Sequence, residues 1–178
     1  MAKRHPAIPG LWLLTDARND AALDRAMRRL PRGSGVIFRH YHLPVTARRA
    51  RFARLAKTAR SRGLVPVLAG SSRLARGWGA GGAYGAPSAL GRPTGGLRLA
   101  TAHSLRELAV AARGGADAVL LSPVFATRSH PGGKALGPVR FLFLARQSPL
   151  PVIALGGMSA KRARRFPVHG WAAIDAFA

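Results

Sequence analysis

The stretch "LRLATAHSLRELAVAARGGADAVLLSPVF" (97–125) decides the fold. "LRLA" (97–100) is a short apolar strand, and Ser104 is placed to cap a helix behind it. Leu105, Leu108, Ala109 and Ala112 recur at helical spacing and form one apolar face, and Gly114-Gly115 end the helix. "DAVLLSPVF" (117–125) follows as a second strand running into a loop. Both strands are apolar throughout instead of alternating, as in a parallel sheet covered on its outside. The unit is strand, crossover helix, strand.

Working outward, the same rhythm continues on both sides. Toward the C-terminus come a helix at "PVRFLFLARQ" (138–147), a strand at "LPVIALGG" (150–157), a short basic helix capped by Ser159 and reaching Phe166, and a last strand at "GWAAIDAF" (170–177). Toward the N-terminus, "GLWLLTDAR" (10–18), "GVIFRHY" (35–41) and "LVPVLAG" (64–70) read as strands. Helices are expected from Asp20 to Leu30 and, with Thr46 as cap, through Arg60. Residues 73–96 include eight glycines among 24 residues, so a regular helix is not expected there, and only a weak strand is placed near Ala80–Tyr84. Eight strands alternating with six or seven helices predict an α/β fold, a small, truncated TIM-type (β/α)8 barrel spanning 1–178 as one domain. Its units are tight, roughly 22 residues each, against the ~250 residues of a typical full barrel. The alternative is an open doubly wound sheet, but no Gly-x-Gly-x-x-Gly turn follows the first strand. The chain stops just after the eighth strand, so the final helix is expected to be missing. The outer faces of strands one and eight would then be bare, through Trp12 and Leu14 or their neighbours and Trp171, Ala173 or Ile174. A homodimer through that face is the expected consequence.

Composition narrows the chemistry. There are no cysteines, hence no disulfides, thiolate metal site or Cys nucleophile. No apolar run approaches the ~18 residues of a membrane span, and the broken N-terminal segment does not read as a signal peptide, so the expected location is the cytoplasm. Lys and Arg number 29 against six acidic residues, a net +23, which points to a polyanion partner such as non-specifically bound nucleic acid. Against that, only four of the 29 are lysine, and Ala and Gly are abundant, a composition that GC-rich coding alone would produce. The carboxylates are Asp16, Asp20, Asp24, Glu107, Asp117 and Asp175, with none between Asp24 and Glu107. A mechanism needing two carboxylates from the middle of the chain is excluded.

In a parallel barrel the working groups lie at the C-terminal ends of the strands. Gly156-Gly157, ahead of the Ser159-capped helix, can bring backbone N–H groups to an anion, and is also a common plain turn. "SPVFATRSHPGGKALG" (122–137) is a long polar loop with hydroxyls, cations and His130, in the position of an active-site lid. Arg39 ends strand two beside His40, Tyr41 and His42; two histidines without an acidic or cysteine partner make a poor zinc site.

"LWLLTDAR" (11–18), "HSLRELAVAARGGADAVLLSPVFATRSHPGGKALG" (103–137) and "LPVIALGGMSAKRARRF" (150–166) resemble thiamine phosphate synthase and its relative, the thiazole tautomerase. The resemblance is strong over residues 97–166, good over 11–18 and faint between 19 and 96. It implies a (β/α)8 barrel joining a pyrimidine methyl diphosphate to a thiazole phosphate, with Mg²⁺ assisting release of pyrophosphate. Carried over position by position, it implies that Arg39, Thr127, Ser129 and His130 stand where catalytic groups act. Thr101, Gly156 and Gly157 then hold the small phosphorylated ligand. The family's strand-two Gln and Lys fall on Ile37 and Tyr41, and its Asn-Asp after strand three falls on Ala69-Gly70. The strand-four His-Leu-Gly-Gln and following Asp have no counterpart. The Mg²⁺ ligands are therefore absent and no metal or other cofactor is expected. The strand-eight Ser becomes Asp175, whose charge would repel phosphate, and the tautomerase histidine becomes Pro123.

Overall fold

Eight short strands, β1 (Leu11–Leu14), β2 (Gly35–Phe38), β3 (Val65–Ala69), β4 (Gly82–Gly85), β5 (Leu97–Ala102), β6 (Ala118–Leu121), β7 (Val152–Leu155) and β8 (Gly170–Ala173), pair in parallel and in chain order. The ring closes where Trp12 of β1 pairs with Ala172 of β8, which excludes the open-sheet alternative. This is a computed structural model, and it describes residues 7–127, 134–175 and 177. Among these, the crossovers contain α1 (Leu23–Arg29), α2 (Val45–Ser61), α3 (Ser72–Gly77), α4 (Leu105–Arg113), α5 (Gly137–Arg146) and α6 (Ala160–Ala163), plus a 3-10 turn at Ala17–Ala22.

Successive side chains of a strand point to opposite faces, so each strand feeds two cores. Trp12, Leu14, Ile37, Val67, Tyr84, Leu99, Leu120 and Ile153 are among those that fill the barrel interior. Their neighbours Leu13, Val36, Phe38, Leu68, Val119 and Leu121 pack outward under the helices. Trp12 and Leu14 were expected on an uncovered outer face; instead both are fully buried inside the barrel. The outward residues of β1 are their neighbours Leu13, also fully buried, and Leu11, half-buried. Trp171 does face outward and is half-buried, stacked on Phe177 at 5.3 Å. Trp12 explains a glycine as well. Its indole lies where a side chain at Gly35 would be, since a Cβ there would come within 2.1 Å of the ring. Truncating Trp12 would remove a filler that nothing nearby can replace, at about 3–5 kcal/mol.

Local sequence and structure part company in four further places. The helix expected over 20–30 is split: Asp16 caps the 3-10 turn by accepting from the Arg18 N–H, and α1 begins only at Leu23. Pro44, not Thr46, stands at the N-cap of α2, because its fixed φ of −55° suits a helix entry. In α4 Ser104 caps as expected, but Leu108 and Ala111 are buried while Leu105 is 44 % exposed. The glycine-rich interval opens with a regular helix after all: Ser71 caps α3, Ala75 is buried beneath it, and β4 follows at Gly82–Gly85. The helix ends at Gly77, the first of the eight glycines, and the other seven lie beyond it, where no further helix forms before α4.

Candidate functional site

The chain direction puts the ends of all eight strands on one rim, where two regions are organised in different ways. The first joins β1 to β2. Asp16 holds Arg18 at 3.0 Å and the Arg39 Nη2 at 2.9 Å. Burial alone would raise the Asp16 carboxyl, but the hydrogen bonds and charge of Arg18 and the charge of Arg39 outweigh it and keep it below the usual range. Arg39 also donates its backbone N–H to the Thr15 Oγ1 and its Nε to the Thr15 carbonyl oxygen, both at 2.9 Å. It is thus held at three points and its side chain is 16 % exposed. Asn19 seals the rim by donating to the carbonyls of Leu14 and Ile174, which ties β1 to the residue after β8.

Behind Arg39 lies His40, its side chain fully buried. Its Nδ1 is 2.7 Å from the Thr15 Oγ1 and its Nε2 is 2.9 Å from Asp20, which also takes Arg51 at 2.7 Å. The Asp20 carboxylate can only accept, so the neutral imidazole carries its proton on Nε2 and accepts from the Thr15 hydroxyl at Nδ1. Burial pushes the His40 ring below its ordinary pKa in spite of the Asp20 charge. Asp20, where burial acts upward, is drawn down by Arg51 and His40.

The same end is closed from α2. Arg48 donates its Nε to the Arg39 carbonyl at 3.0 Å and its Nη2 to the Ala69 carbonyl at 2.6 Å. Its guanidinium lies 5.3 to 6.0 Å from the ring centres of Tyr41, Trp78 and Phe38. Inside the barrel, burial raises the Tyr84 hydroxyl to about 12. The donor set at this rim can be compared with what Mg²⁺ requires. The ends of β3 and β4 are Ala69-Gly70 and Gly85-Ala86, without a carboxylate, and the cation Arg48 is bonded to Ala69 itself. Asp16 and Asp20 are committed to arginines and His40, Glu107 accepts from the His103 N–H, and Asp117 accepts from the Arg98 N–H. A hard divalent cation needs several free oxygen donors. The residues do not fit it. Among the described residues no group of three or more His, Asp or Glu side chains converges anywhere.

The second region joins β6 to β7. Gly156 and Gly157 have φ of +102° and +61°. A Cβ at Gly156 would come within 2.7 Å of Pro123, and one at Gly157 within 2.8 Å of the Phe125 Cβ. Close packing against the β6 loop therefore demands glycine at both positions. Among the described residues, neither glycine N–H has a backbone acceptor. The helix that follows, α6, is four residues long, with Ser159 accepting from the Arg162 N–H. Arg162 folds back over the turn, donating to the Gly157 carbonyl and lying 4.3 Å from the Phe125 ring centre.

Of the residues singled out from sequence, Arg39, Thr101, Thr127, Gly156 and Gly157 all lie on this rim. Thr101 and Thr127 are half-buried, at the end of β5 and in the β6 loop. Ser129 and His130 lie outside the described residues. Asp175 follows β8 and is exposed. Sequence reasoning missed Arg48, Arg162, Tyr84 and the role of His40. Only Arg162 left a readable sign, three residues after a capping serine and so beside the turn.

Fold and rim together define a (β/α)8 barrel protein whose described candidate groups sit at or beside the carboxyl ends of the strands. The family model of thiamine monophosphate synthase matches residues 11–177. The chain belongs to that family. A relative from Aquifex aeolicus, provisionally called thiamine-phosphate synthase 2, is 34 % identical over 80 residues. That match spans 43 % of this chain and 43 % of the relative, so less than half of either is aligned. Among solved structures, the thiamine phosphate pyrophosphorylase of Pyrococcus furiosus superposes with a TM-score of 0.76 at 20 % identity, over 93 % of this chain and 85 % of that one. The Bacteroides thetaiotaomicron thiamine phosphate pyrophosphorylase gives 0.62 at 15 % identity, over 94 % and 83 %. Likeness at these identities speaks for the fold.

Proposed function

We propose that this protein is a thiamine phosphate synthase-like barrel that binds a small phosphate ester, of the thiazole phosphate type, and does not perform the Mg²⁺-dependent condensation. The observation that carries the reading is the contrast in what the rim offers. At the β6–β7 end, the Gly156 and Gly157 amides lack backbone acceptors among the described residues and a cation, Arg162, stands beside them. At the β3–β4 end, where the family resemblance calls for metal-binding carboxylates, there are none. Backbone N–H groups gathered at a glycine turn suit a phosphate, and an adjacent guanidinium strengthens the contact. Arg39, on the same rim at the end of β2 and clamped by Thr15 and Asp16, is a second cation available to an anionic ligand. The reading supplies the cytoplasm as location; among the described residues no helix is long and apolar enough to cross a membrane.

The test is calorimetric titration with the phosphorylated thiazole alcohol at physiological salt, with and without Mg²⁺. Binding is expected in both cases, with the affinity unchanged by the metal. Synthesis of thiamine phosphate when the pyrimidine diphosphate and Mg²⁺ are added would overturn the loss of the reaction. A different reading, binding to nucleic acid, draws on exposed Arg25, Arg28, Arg49 and Arg54 on α1 and α2. Salt separates the two: nucleic-acid affinity falls by orders of magnitude as counterion release weakens, whereas a single phosphate in a turn loses little.

A further inference from the structure

His40 is the only non-glycine residue at positive φ among the described residues, at 31°. A histidine in that region is uncommon and holds backbone strain. The strain has a visible return. It lays the ring flat on Phe38, 4.5 Å between centres and 6° from parallel, and aims its two nitrogens at different elements, Thr15 after β1 and Asp20 in the 3-10 turn. We propose that His40 is a positioning residue: through the Thr15 hydroxyl it sets the placement of Arg39, and its protonation loosens that placement. This rests on the reading above only in taking Arg39 as a cation that meets the anionic ligand.

The chain of contacts is short. The Thr15 hydroxyl donates to the His40 Nδ1 at 2.7 Å and accepts the Arg39 backbone N–H at 2.9 Å. Thr15 is fully buried, so water cannot replace either partner. When His40 takes a second proton, Nδ1 becomes a donor. The hydroxyl must turn to accept from it, its own proton loses its acceptor, and the Arg39 N–H shares an oxygen that now faces a cation. The groups facing His40 are Asp20 from the 3-10 turn, Arg51 from α2 through Asp20, His42 with its ring 5.2 Å away, and Arg39 on its own strand end. Only Asp20 favours the protonated ring; Arg51, His42 and burial oppose it.

Two substitutions divide the ring into its halves. His40→Asn puts an amide oxygen near the place of Nδ1 and tolerates positive φ, so it keeps the Thr15 arm and drops the Asp20 arm. His40→Gln reaches toward Asp20 and drops the Thr15 arm. The experiment is amide and guanidinium NMR of the intact protein from about pH 7.5 to about pH 4.5, with sulfate, a dianion throughout this range, as the binding probe. In the wild type the Arg39 N–H and Nε–H are expected to shift with the midpoint of the His40 ring, below the ordinary histidine value of about 6.5. In His40→Asn they stay at the high-pH position throughout, with sulfate affinity within about twofold of wild type. In His40→Gln they are displaced at every pH, with sulfate bound about tenfold more weakly. The proposal is overturned if Arg39 is unmoved while His40 titrates, if its shift vanishes in His42→Asn instead, or if the two His40 variants behave alike. Should His40→Gln not fold, the wild-type titration with the His42→Asn control decides. Should sulfate fail to bind wild type while Arg39 follows His40, the positioning role stands and the phosphate-ester reading falls.

Discussion

The β1–β2 and β6–β7 ends of the barrel are built from opposite materials. At β1–β2, side chains satisfy one another: Asp16 takes Arg18 and Arg39, Asp20 takes His40 and Arg51, and Arg48 closes over the carbonyls of Arg39 and Ala69. At β6–β7 the backbone does the shaping, through two glycines that pack on Pro123 and Phe125 and turn their amides away from any backbone acceptor among the described residues. Such a network rigidifies the end and holds a cation in place, with its carboxylates already turned to arginines and His40. A glycine turn has little side-chain chemistry and its hydrogen-bonding capacity is open. Where a ligand goes is decided by what is left unsatisfied, more than by how many charged residues are nearby.

The comparison can be broken at several points. Thr15→Val is expected to be the most damaging. It keeps the shape but leaves the His40 Nδ1 and the Arg39 N–H unpaired in a fully buried place, so urea unfolding should show a loss of about 2–4 kcal/mol. If the loss is under about 1 kcal/mol, the β1–β2 network is decoration. Gly157→Ala attacks the other end. The added methyl collides with Phe125 and occupies a φ of +61°, so stability should fall by about 1–3 kcal/mol and phosphate-ester affinity by at least about tenfold. Arg162→Gln separates those two effects: exposed on the surface, it should change stability by less than about 0.5 kcal/mol while weakening the ester about threefold to tenfold. Equal affinity in Arg162→Gln would remove the cation from the site.

A pH series sharpens the contrast, because His40, Asp16 and Asp20, whose ionisation the fold shifts, all stand at the β1–β2 end. His40 has a lowered pKa in the folded chain, so the unfolded chain binds more protons as pH falls through the ordinary histidine value. The stability tied to its neutral form is fully present above about 6.5 and is lost below it. Asp16 and Asp20 are also held low, so their contribution is present above the ordinary carboxylate value of about 3.9 and is lost as pH falls further. Denaturant midpoints should therefore decline in two stages on acidification, and His40→Asn should abolish the first. The smallest effect expected is for Tyr84→Phe. Its ring is buried, and its hydroxyl makes no side-chain hydrogen bond with a described residue, so removing it should move stability by less than about 0.5 kcal/mol.

Much of this barrel is legible in one dimension. The βαβ unit at 97–125 announces itself because helix and strand have different periods, and because Ser104 and Gly114-Gly115 mark the ends through local hydrogen bonding and backbone freedom. The absence of carboxylates between Asp24 and Glu107 is a fact of composition, and the sequence alone shows it. The facing of the strands was not legible. A strand apolar on both sides has no period-two signal, so nothing local says that Trp12 points into the barrel and Leu13 out; closure of the ring and the bare Cα of Gly35 decide it. Nor could His40 be read. Its ring matters through Thr15, Asp20 and Arg51, residues 11 to 25 positions away that only the closed sheet brings within hydrogen-bond reach, at a backbone angle its own sequence disfavours. The sequence by itself determined the order of elements and the inventory of charges. The tertiary structure decided which charges spend themselves on each other and which groups remain to meet a ligand, because hydrogen bonds saturate and saturation depends on who is near.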